Sequence, residues 1–365
     1  MTPTLPMSAL RRATRALSRG LFLDRQAAFW IGQVDPTWSP REVRARVVEI
    51  IDETPDTRTF VLQPNHHWRG HRAGQHTTIE VEIDGVRVRR CYSISSAPSP
   101  ARRLAITVKR VPDGRVSSWL HDELCPGDVV GLGAAAGDFV LPEPRPAGGL
   151  LLLSGGSGIT PVMSMLRDLD ARGAVDDVVF VHHARSRDHV IFGAELEAIA
   201  ARRPGLRLLI RVDDDPRGDG AFDEARLAAQ VPDHAARTTM LCGPAPLMAR
   251  VEQMWARAGA SARLHRERFA TPRPATTEPG APVAVRLTRT ARTISADGAG
   301  TLLEQLERGG ARPASGCRMG ICKTCTCRKR SGVVENLLTG ARSTDPDEDI
   351  QLCVSVARSE LELEL

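Results

Sequence analysis

No apolar stretch in this chain reaches the roughly 18–20 residues that a bilayer-crossing helix needs, so the sequence predicts no transmembrane segment. Long basic runs are missing too. The net charge of +5 comes from a scattered excess of arginine, which does not argue for a nucleic-acid partner. The opening stretch, MTPTLPMSALRRATRALSRGLF, is Arg-rich and nearly free of acids, yet it lacks the continuous apolar core of a secretory signal. A cytoplasmic setting is therefore expected. In a reducing compartment, clustered cysteines hold metal or do redox chemistry more often than they form disulfides. Aromatic residues are scarce at 4%, and Tyr92 is the only tyrosine. What remains is an ordinary globular balance, 42% apolar and 25% charged. At 365 residues the chain is long enough for two or three domains of about 100–150 residues.

Sulfur is concentrated near the end. CRMGICKTCTC, residues 317–327, holds four of the eight cysteines, and Cys353 follows alone in QLCVSVA. The spacing Cys317-x4-Cys322-x2-Cys325…Cys353 is that of plant-type [2Fe–2S] ferredoxins. Four thiolates must converge on two irons, so the loop has to wrap, and Gly316 and Gly320 relieve its steric limits. A zinc site would want two paired knuckles, and the second pair is missing. A disulfide set is disfavoured by compartment, and unrelated buried cysteines rarely cluster so tightly. Cys327 fits no ligand spacing and reads as a neighbour of the cluster. Cys91, Cys125 and Cys242 lie in other segments and read as structural. The flanks agree with a ferredoxin module. VAVRLTRTARTISAD (283–297) alternates like a β-hairpin, TLLEQLERGG (301–310) reads as a short helix closed by glycine, and EDIQLCVSVARSELELEL supplies a strand pair carrying the fourth ligand. Residues 280–365 thus resemble plant-type ferredoxins.

Upstream, RRCYSISSAP (89–98) contains Arg90-x-Tyr92-Ser93, and GRVSSWLHD (114–122) reads as a turn and helix start with Ser117 and Ser118 in its first turn. Free N–H groups and hydroxyls there suit phosphate oxygens. Both motifs resemble the flavin-binding elements of the ferredoxin–NADP reductase superfamily. The resemblance implies that Arg90 neutralises flavin phosphate, Tyr92 packs beside the ring and ribityl chain, and Ser93 hydrogen-bonds near flavin N5. It implies further that Gly114, Val116, Ser117 and Ser118 form the phosphate turn. LLLLSGGSGITPVMSML (150–166) is an apolar run, a glycine turn and a helical pattern, a unit that can cradle a pyrophosphate. It resembles the family's nicotinamide-nucleotide motif, with Gly155, Gly156, Gly158 and Thr160 as the matching positions. DVVFVHHARSRDHVIF (177–192) adds a second buried strand. An acid at its exit would favour NAD and arginine the 2′-phosphate of NADP. Arg185, Ser186 and Arg187 come first, with Asp188 close behind, so NADPH is expected with NADH as the alternative.

TTMLCGPAPLM (238–248) resembles the family's C-G-P motif near the nicotinamide, matched by Cys242, Gly243 and Pro244. HRERF (265–269) resembles the segment that ends this domain, which makes Glu267 and Phe269 candidates for approaching the flavin. A core aromatic at a strand end is the alternative for Phe269. His66–His67 and His182–His183 are adjacent pairs, which point apart on a strand, and no oxygen-activating metal pattern is evident.

The expected organisation is an N-terminal extension (1–38), an antiparallel β-barrel FAD domain (39–143), and an α/β parallel-sheet NAD(P) domain (144–270). A Pro/Thr-rich linker (271–281) and an α+β, β-grasp ferredoxin domain (282–365) follow. The order flavin, nicotinamide, ferredoxin resembles the phthalate-dioxygenase-reductase type. It implies an enzyme that passes electrons from NAD(P)H through flavin to the cluster and on to a terminal oxygenase, hydroxylase or membrane desaturase. The phrases DPTWSPREVRARV and SGCRMGICKTCTCRK look closest to NADPH-dependent reductases of acyl-lipid desaturases and hydroxylases. Those relatives use FAD and the phthalate reductase uses FMN, so FAD is expected with FMN as the alternative. An iron–sulfur redox sensor with little turnover is the competing function. The extension, with Arg11, Arg12, Arg15 and Arg19 among leucines and phenylalanines, reads either as packing on the flavin domain or as docking to a membrane surface or partner.

Overall fold

The computed structural model describes residues 31, 35–112, 114–144, 148–213, 222–269, 282–316, 318, 320 and 323–365. Nearly all of the N-terminal extension, the linker, and Cys317 and Cys322 lie outside the described residues.

The first unit is an antiparallel sheet of β1 (Val43–Thr54), β2 (Thr57–Pro64), β3 (His76–Ile83), β4 (Val86–Ser93), β5 (Leu104–Lys109) and β6 (Val129–Leu132), in the order β4-β3-β6-β1-β2-β5. A bridge between Ile94 and Ile106 joins the ends and turns the sheet into a barrel. The alternating stretches read from sequence become β1, β2, β3 and β5, and their inward members, including Val47, Phe60, Leu62, Ile79 and Ile106, form one core. Helix α1 (Arg115–Asp122) closes that core with Val116 and Leu120. Residues just before β1 pack on the barrel: Asn65 donates to the Thr37 carbonyl at 2.8 Å, and Arg46 lies 3.6 Å from Asp35. His66 and His67 depart from expectation. Strand β2 ends at Pro64, the pair falls in the following turn, and the rings stack with centroids 4.0 Å apart. His182 and His183 do diverge: His182 bonds Ser154 at 2.9 Å, and the ring of His183 meets Phe222 edge-on.

The second unit is a parallel sheet ordered β11-β10-β7-β8-β9, built from β7 (Leu150–Gly155), β8 (Val178–Ala184), β9 (Leu206–Val212), β10 (Thr238–Cys242) and β11 (Leu264–Glu267). The four leucines of β7 explain its double burial. Leu150 and Leu152 enter one core, with α2 (Ile159–Ala171) and α3 (Gly193–Arg202). Leu151 and Leu153 enter the other, with α4 (Glu224–Gln230) and α5 (Ala245–Arg257). A strand covered on both faces must be apolar at every position.

Barrel and parallel sheet are fastened through α2. Ser164 donates to the Ser96 carbonyl at 2.6 Å, and Arg167 donates to the Ser95 carbonyl at 2.7 Å. Arg167 is itself fixed by two bonds to Glu195 and by the face of Phe192 at 4.4 Å.

The third unit has a sheet ordered β13-β12-β19-β14-β17 and a small one ordered β16-β15-β18. Its strands are β12 (Val283–Leu287), β13 (Arg292–Ala296), β14 (Thr326–Ser331), β15 (Val334–Asn336), β16 (Arg342–Ser343), β17 (Glu348–Gln351), β18 (Ser355–Ala357) and β19 (Leu361–Leu363). The hairpin β12–β13 is as expected, and β12 pairs in parallel with β19. Helix α6 (Leu302–Arg308) starts with a capping box, in which Thr301 and Glu304 each bond the other's backbone N–H. The C-terminal stretch differs from the expected strand pair. Strands β17 and β18 lie in different sheets, and one turn of 3-10 helix, Leu352–Val354, carries Cys353 between them.

Candidate functional site

Strand β4 presents two faces. Register with β3 sets Arg90 opposite Ile79 and Tyr92 opposite Thr77, whereas Arg89 and Ser93 face Glu80 and His76 on the other side. Burial pushes the Tyr92 phenol well above its ordinary value, so it stays protonated. Helix α1 begins at Gly114, and no side chain caps it. A Cβ at Gly114 would stand 2.4 Å from Ser117 Oγ. That hydroxyl accepts from the Val111 N–H and donates to the Gly114 carbonyl, each at 3.2 Å. Ser117 therefore tightens the loop, while the first-turn amides and half-buried Ser118 remain as the anion-facing groups. An uncapped helix start close to a basic strand fits a flavin phosphate.

Three elements converge where the barrel meets β11. Ser93 Oγ donates to Glu267 Oε2 at 3.2 Å, and His76 Nδ1 lies 3.5 Å from Glu267 Oε1. His76 and Glu267 are nearly buried, with 7% and 11% of their side chains exposed, and His76 Nδ1 has no hydrogen-bond partner among the described residues. Cys242 stands beside Glu267 in the β10–β11 register. Burial first, and then that carboxylate, push the Cys242 thiol well above its usual range. Ser93, Cys242 and Glu267, separate in sequence, are thus adjacent in space. His76 belongs with them and was missed, because only the strand register places it opposite Ser93. Phe269 is half-buried and packs on the core around α2.

The same junction opens into a cleft of about 1350 Å³, lined among others by His76, Thr78, Trp119, Gly137, Glu267 and Lys323. Lys323 and Thr324, at the described end of the cysteine loop, face the barrel across this space. An orphaned buried imidazole nitrogen beside such a cleft fits a bound polar ring.

The glycine turn after β7 is shaped by close backbone approach. A Cβ on Gly158 would lie 2.3 Å from the Cys242 carbonyl oxygen, and Gly156 has a positive φ of 52°. A Cβ on Gly243 would crowd Leu247 at 2.9 Å. Thr160 donates to the Ser157 carbonyl, and Pro244 leads into α5. Gly155, Gly156 and Pro244 line a second cleft of about 490 Å³ that extends to Arg185, His189 and Arg250. Bare backbone at one end and cations at the other fit a nucleotide pyrophosphate and a further phosphate. Ser186 bonds His189 Nδ1 at 2.6 Å, and Arg187 opens the short turn that follows.

In the third unit Cys325 and Cys353 are buried in its core, and the Gly320 N–H points at Cys353 Sγ from 3.2 Å. Such N–H···S contacts suit a thiolate bound to iron. A Cβ at Gly320, whose φ is +75°, would strike Val354 at 2.9 Å. Cys327 points elsewhere: it lies on β14, buried, with its thiol pushed up by desolvation to about 11.

The comparisons with known proteins agree with this arrangement. Residues 44–141 match the oxidoreductase FAD-binding domain family, 152–253 the oxidoreductase NAD-binding domain family, and 285–358 the 2Fe-2S iron-sulfur cluster binding domain family. An NADPH oxidoreductase of Mycobacterium tuberculosis is 39% identical over 98% of this chain and 92% of its own length. The glycine betaine monooxygenase reductase subunit of Chromohalobacter salexigens is 36% identical over 90% of this chain and 96% of its own. Among solved structures, phthalate dioxygenase reductase superposes with a TM-score of 0.62 at 27% identity, covering 88% of this chain and 97% of that one. Helices long and apolar enough to cross a membrane are absent among the described residues. With three cofactor domains in this order and relatives that align along almost the whole chain, the protein belongs to the ferredoxin–NADP reductase superfamily, in its phthalate-dioxygenase-reductase type, and is an electron-transfer reductase that takes electrons from NAD(P)H through FAD to a [2Fe–2S] cluster and on to an external acceptor.

Proposed function

We propose that NADPH is the preferred donor and that the acceptor is the oxygenase component of a multi-protein system. The division into 39–143, 144–270 and 282–365 gives each cofactor its own unit. Flavin, when bound, supplies the exchange between the paired electrons of a hydride and the single electrons an iron–sulfur centre takes. The protein's own groups do the rest. Arg90 and the first turn of α1, from Gly114 through Val116 to Ser118, compensate phosphate charge, and Tyr92 covers the ring. Gly155, Gly156, Gly158 and Thr160 shape the turn for the pyrophosphate, with Gly243 and Pro244 as its far wall. Arg185, Ser186 and Arg187 meet the 2′-phosphate. Cys317, Cys322, Cys325 and Cys353 hold the irons.

A hydride carries two electrons and one proton, and the cluster accepts only electrons. The proton needs its own exit. Ser93 Oγ donates to Glu267, and His76 Nδ1 lies 3.5 Å from the same carboxylate at the cleft, a cluster that can carry the proton outward, while Cys242 beside them stays a neutral thiol. The observation that carries this reading is the Ser93–Glu267 contact at 3.2 Å between two domains, in a cleft that Lys323 and Thr324 also line.

Relatives named as reductase components of a glycine betaine monooxygenase, a 3-ketosteroid-9-alpha-monooxygenase and a stachydrine N-demethylase weigh toward an oxygenase-type acceptor. The desaturase-like phrases in the sequence keep a membrane desaturase as the second acceptor, and the extension that would touch a membrane lies outside the described residues. An anaerobic titration tests the core of the proposal. Purified protein should show flavin and [2Fe–2S] absorption that bleaches at lower NADPH than NADH. A colourless preparation would end the proposal, and equal titration by the two nucleotides would remove the NADPH preference.

A further inference from the structure

The cleft assigned to the nucleotide phosphates is not built by the nucleotide domain alone. Asp56 and Lys109, both from the barrel, line it together with Arg185, His189 and Arg250. Asp56 sits in the turn between β1 and β2, and its carboxylate is held in a fixed orientation. Oδ1 accepts from Thr54 Oγ1 at 3.0 Å and from Thr57 Oγ1 at 3.1 Å. Oδ2 faces the cleft. Arg185 Nη2 donates to it at 2.8 Å, Lys109 Nζ lies 3.5 Å away, and His189 Nε2 lies 4.0 Å away. The side chain of Arg185 also contacts His189. Burial tends to raise the Asp56 carboxyl, but Lys109, the two threonine hydroxyls and Arg185 outweigh it and hold the group below its ordinary range. It is a carboxylate at any working pH.

A fixed anion beside the cation meant for a phosphate has a definite effect. A 2′-phosphate reaching Arg185 must displace or share the Asp56 carboxylate, and the two anions repel. A ribose with a free 2′-hydroxyl meets no such penalty, because a carboxylate accepts that hydroxyl well. Lys109 keeps Asp56 partly neutralised when Arg185 turns to the phosphate. From this juxtaposition we infer that Asp56 of the flavin domain is a specificity-determining residue of the nucleotide site: it restrains Arg185 and lowers the preference for NADPH over NADH. The inference rests on the reading of Arg185 as a 2′-phosphate ligand. Arg185 is 57% exposed and Asp56 23% exposed, so the effect is that of a partly screened ion pair, roughly three- to tenfold in affinity.

Binding of 2′,5′-ADP and of 5′-AMP to the full-length holoprotein measures this directly, because the two probes differ by the 2′-phosphate and neither transfers electrons. Asp56→Asn should tighten 2′,5′-ADP three- to tenfold and leave 5′-AMP within twofold. Asp56→Ser should do the same, and unchanged flavin and iron–sulfur absorption reports that each variant is folded. Unchanged or weaker 2′,5′-ADP binding in both folded variants would overturn the inference. Arg185→Ala, measured in parallel, separates the two levels. If it weakens 2′,5′-ADP selectively while the Asp56 variants do nothing, only the role of Asp56 fails. If Arg185→Ala leaves both probes unchanged, the 2′-phosphate reading falls, and the Asp56 inference with it.

Discussion

The two helix starts proposed above for phosphates are made in different ways. At α2 the tightest glycine answers to distant backbone: Gly158 lies against the carbonyl of Cys242, contributed by another strand of the sheet. At α1 the constraint on Gly114 is local, set by Ser117 Oγ three residues on and by the Val111 carbonyl. The first start is locked by the packing of the sheet. The second is set within one loop, by a hydroxyl that can rotate together with a nearby backbone carbonyl. In the proposed reading, a nucleotide that must come and go is met by the rigid turn, and a flavin that stays is met by the partly adjustable one.

That contrast can be broken by substitution. Gly158→Ala should have the largest effect, about 3 kcal/mol, the upper end of overpacking, because the atoms it meets are backbone. The unfolding midpoint of the nucleotide domain and its affinity for 2′,5′-ADP should both fall, and an unchanged midpoint would show that the turn is not locked. Gly114→Ala should cost less, about 1 kcal/mol, read as weaker flavin retention on dilution. Adding Ser117→Ala should recover part of that loss. If it recovers none, the clash with the hydroxyl is not what constrains the site. Cys327→Ser should be the mildest, about 1 kcal/mol or less in stability with the [2Fe–2S] absorption intact. Loss of the cluster bands would make Cys327 a ligand and undo the assignment of the other four.

Much of this was legible in the sequence because it is local. Alternation marked β1, β2, β3 and β5, the leucine run marked β7, and TLLEQLERGG with its closing glycines marked α6. The cysteine spacing named its cofactor without any structure. What stayed hidden depends on long-range register. His76 reaches Glu267 only because β3 pairs with β4 and β11 then meets that face. Asp56 and Arg185 are 129 positions apart. The 3-10 turn around Cys353 was read as strand because its apolar run, Leu352–Val354, is buried for the sake of the core. His66 and His67 were read as strand because nothing in their side chains announces that pairing stops at Pro64.

The seam along α2 bears on how this protein could be recombined with its relatives. The helix that begins at the glycine turn also supplies Ser164 and Arg167, which grip the backbone at Ser96 and Ser95, three and two residues beyond Ser93. A crossover drawn in the loop between barrel and sheet would separate partners that were fitted to each other. A chimaera that imports a foreign nucleotide half should therefore carry over the hydroxyl and the guanidinium at these two positions, or inherit a hinge where this chain has a weld.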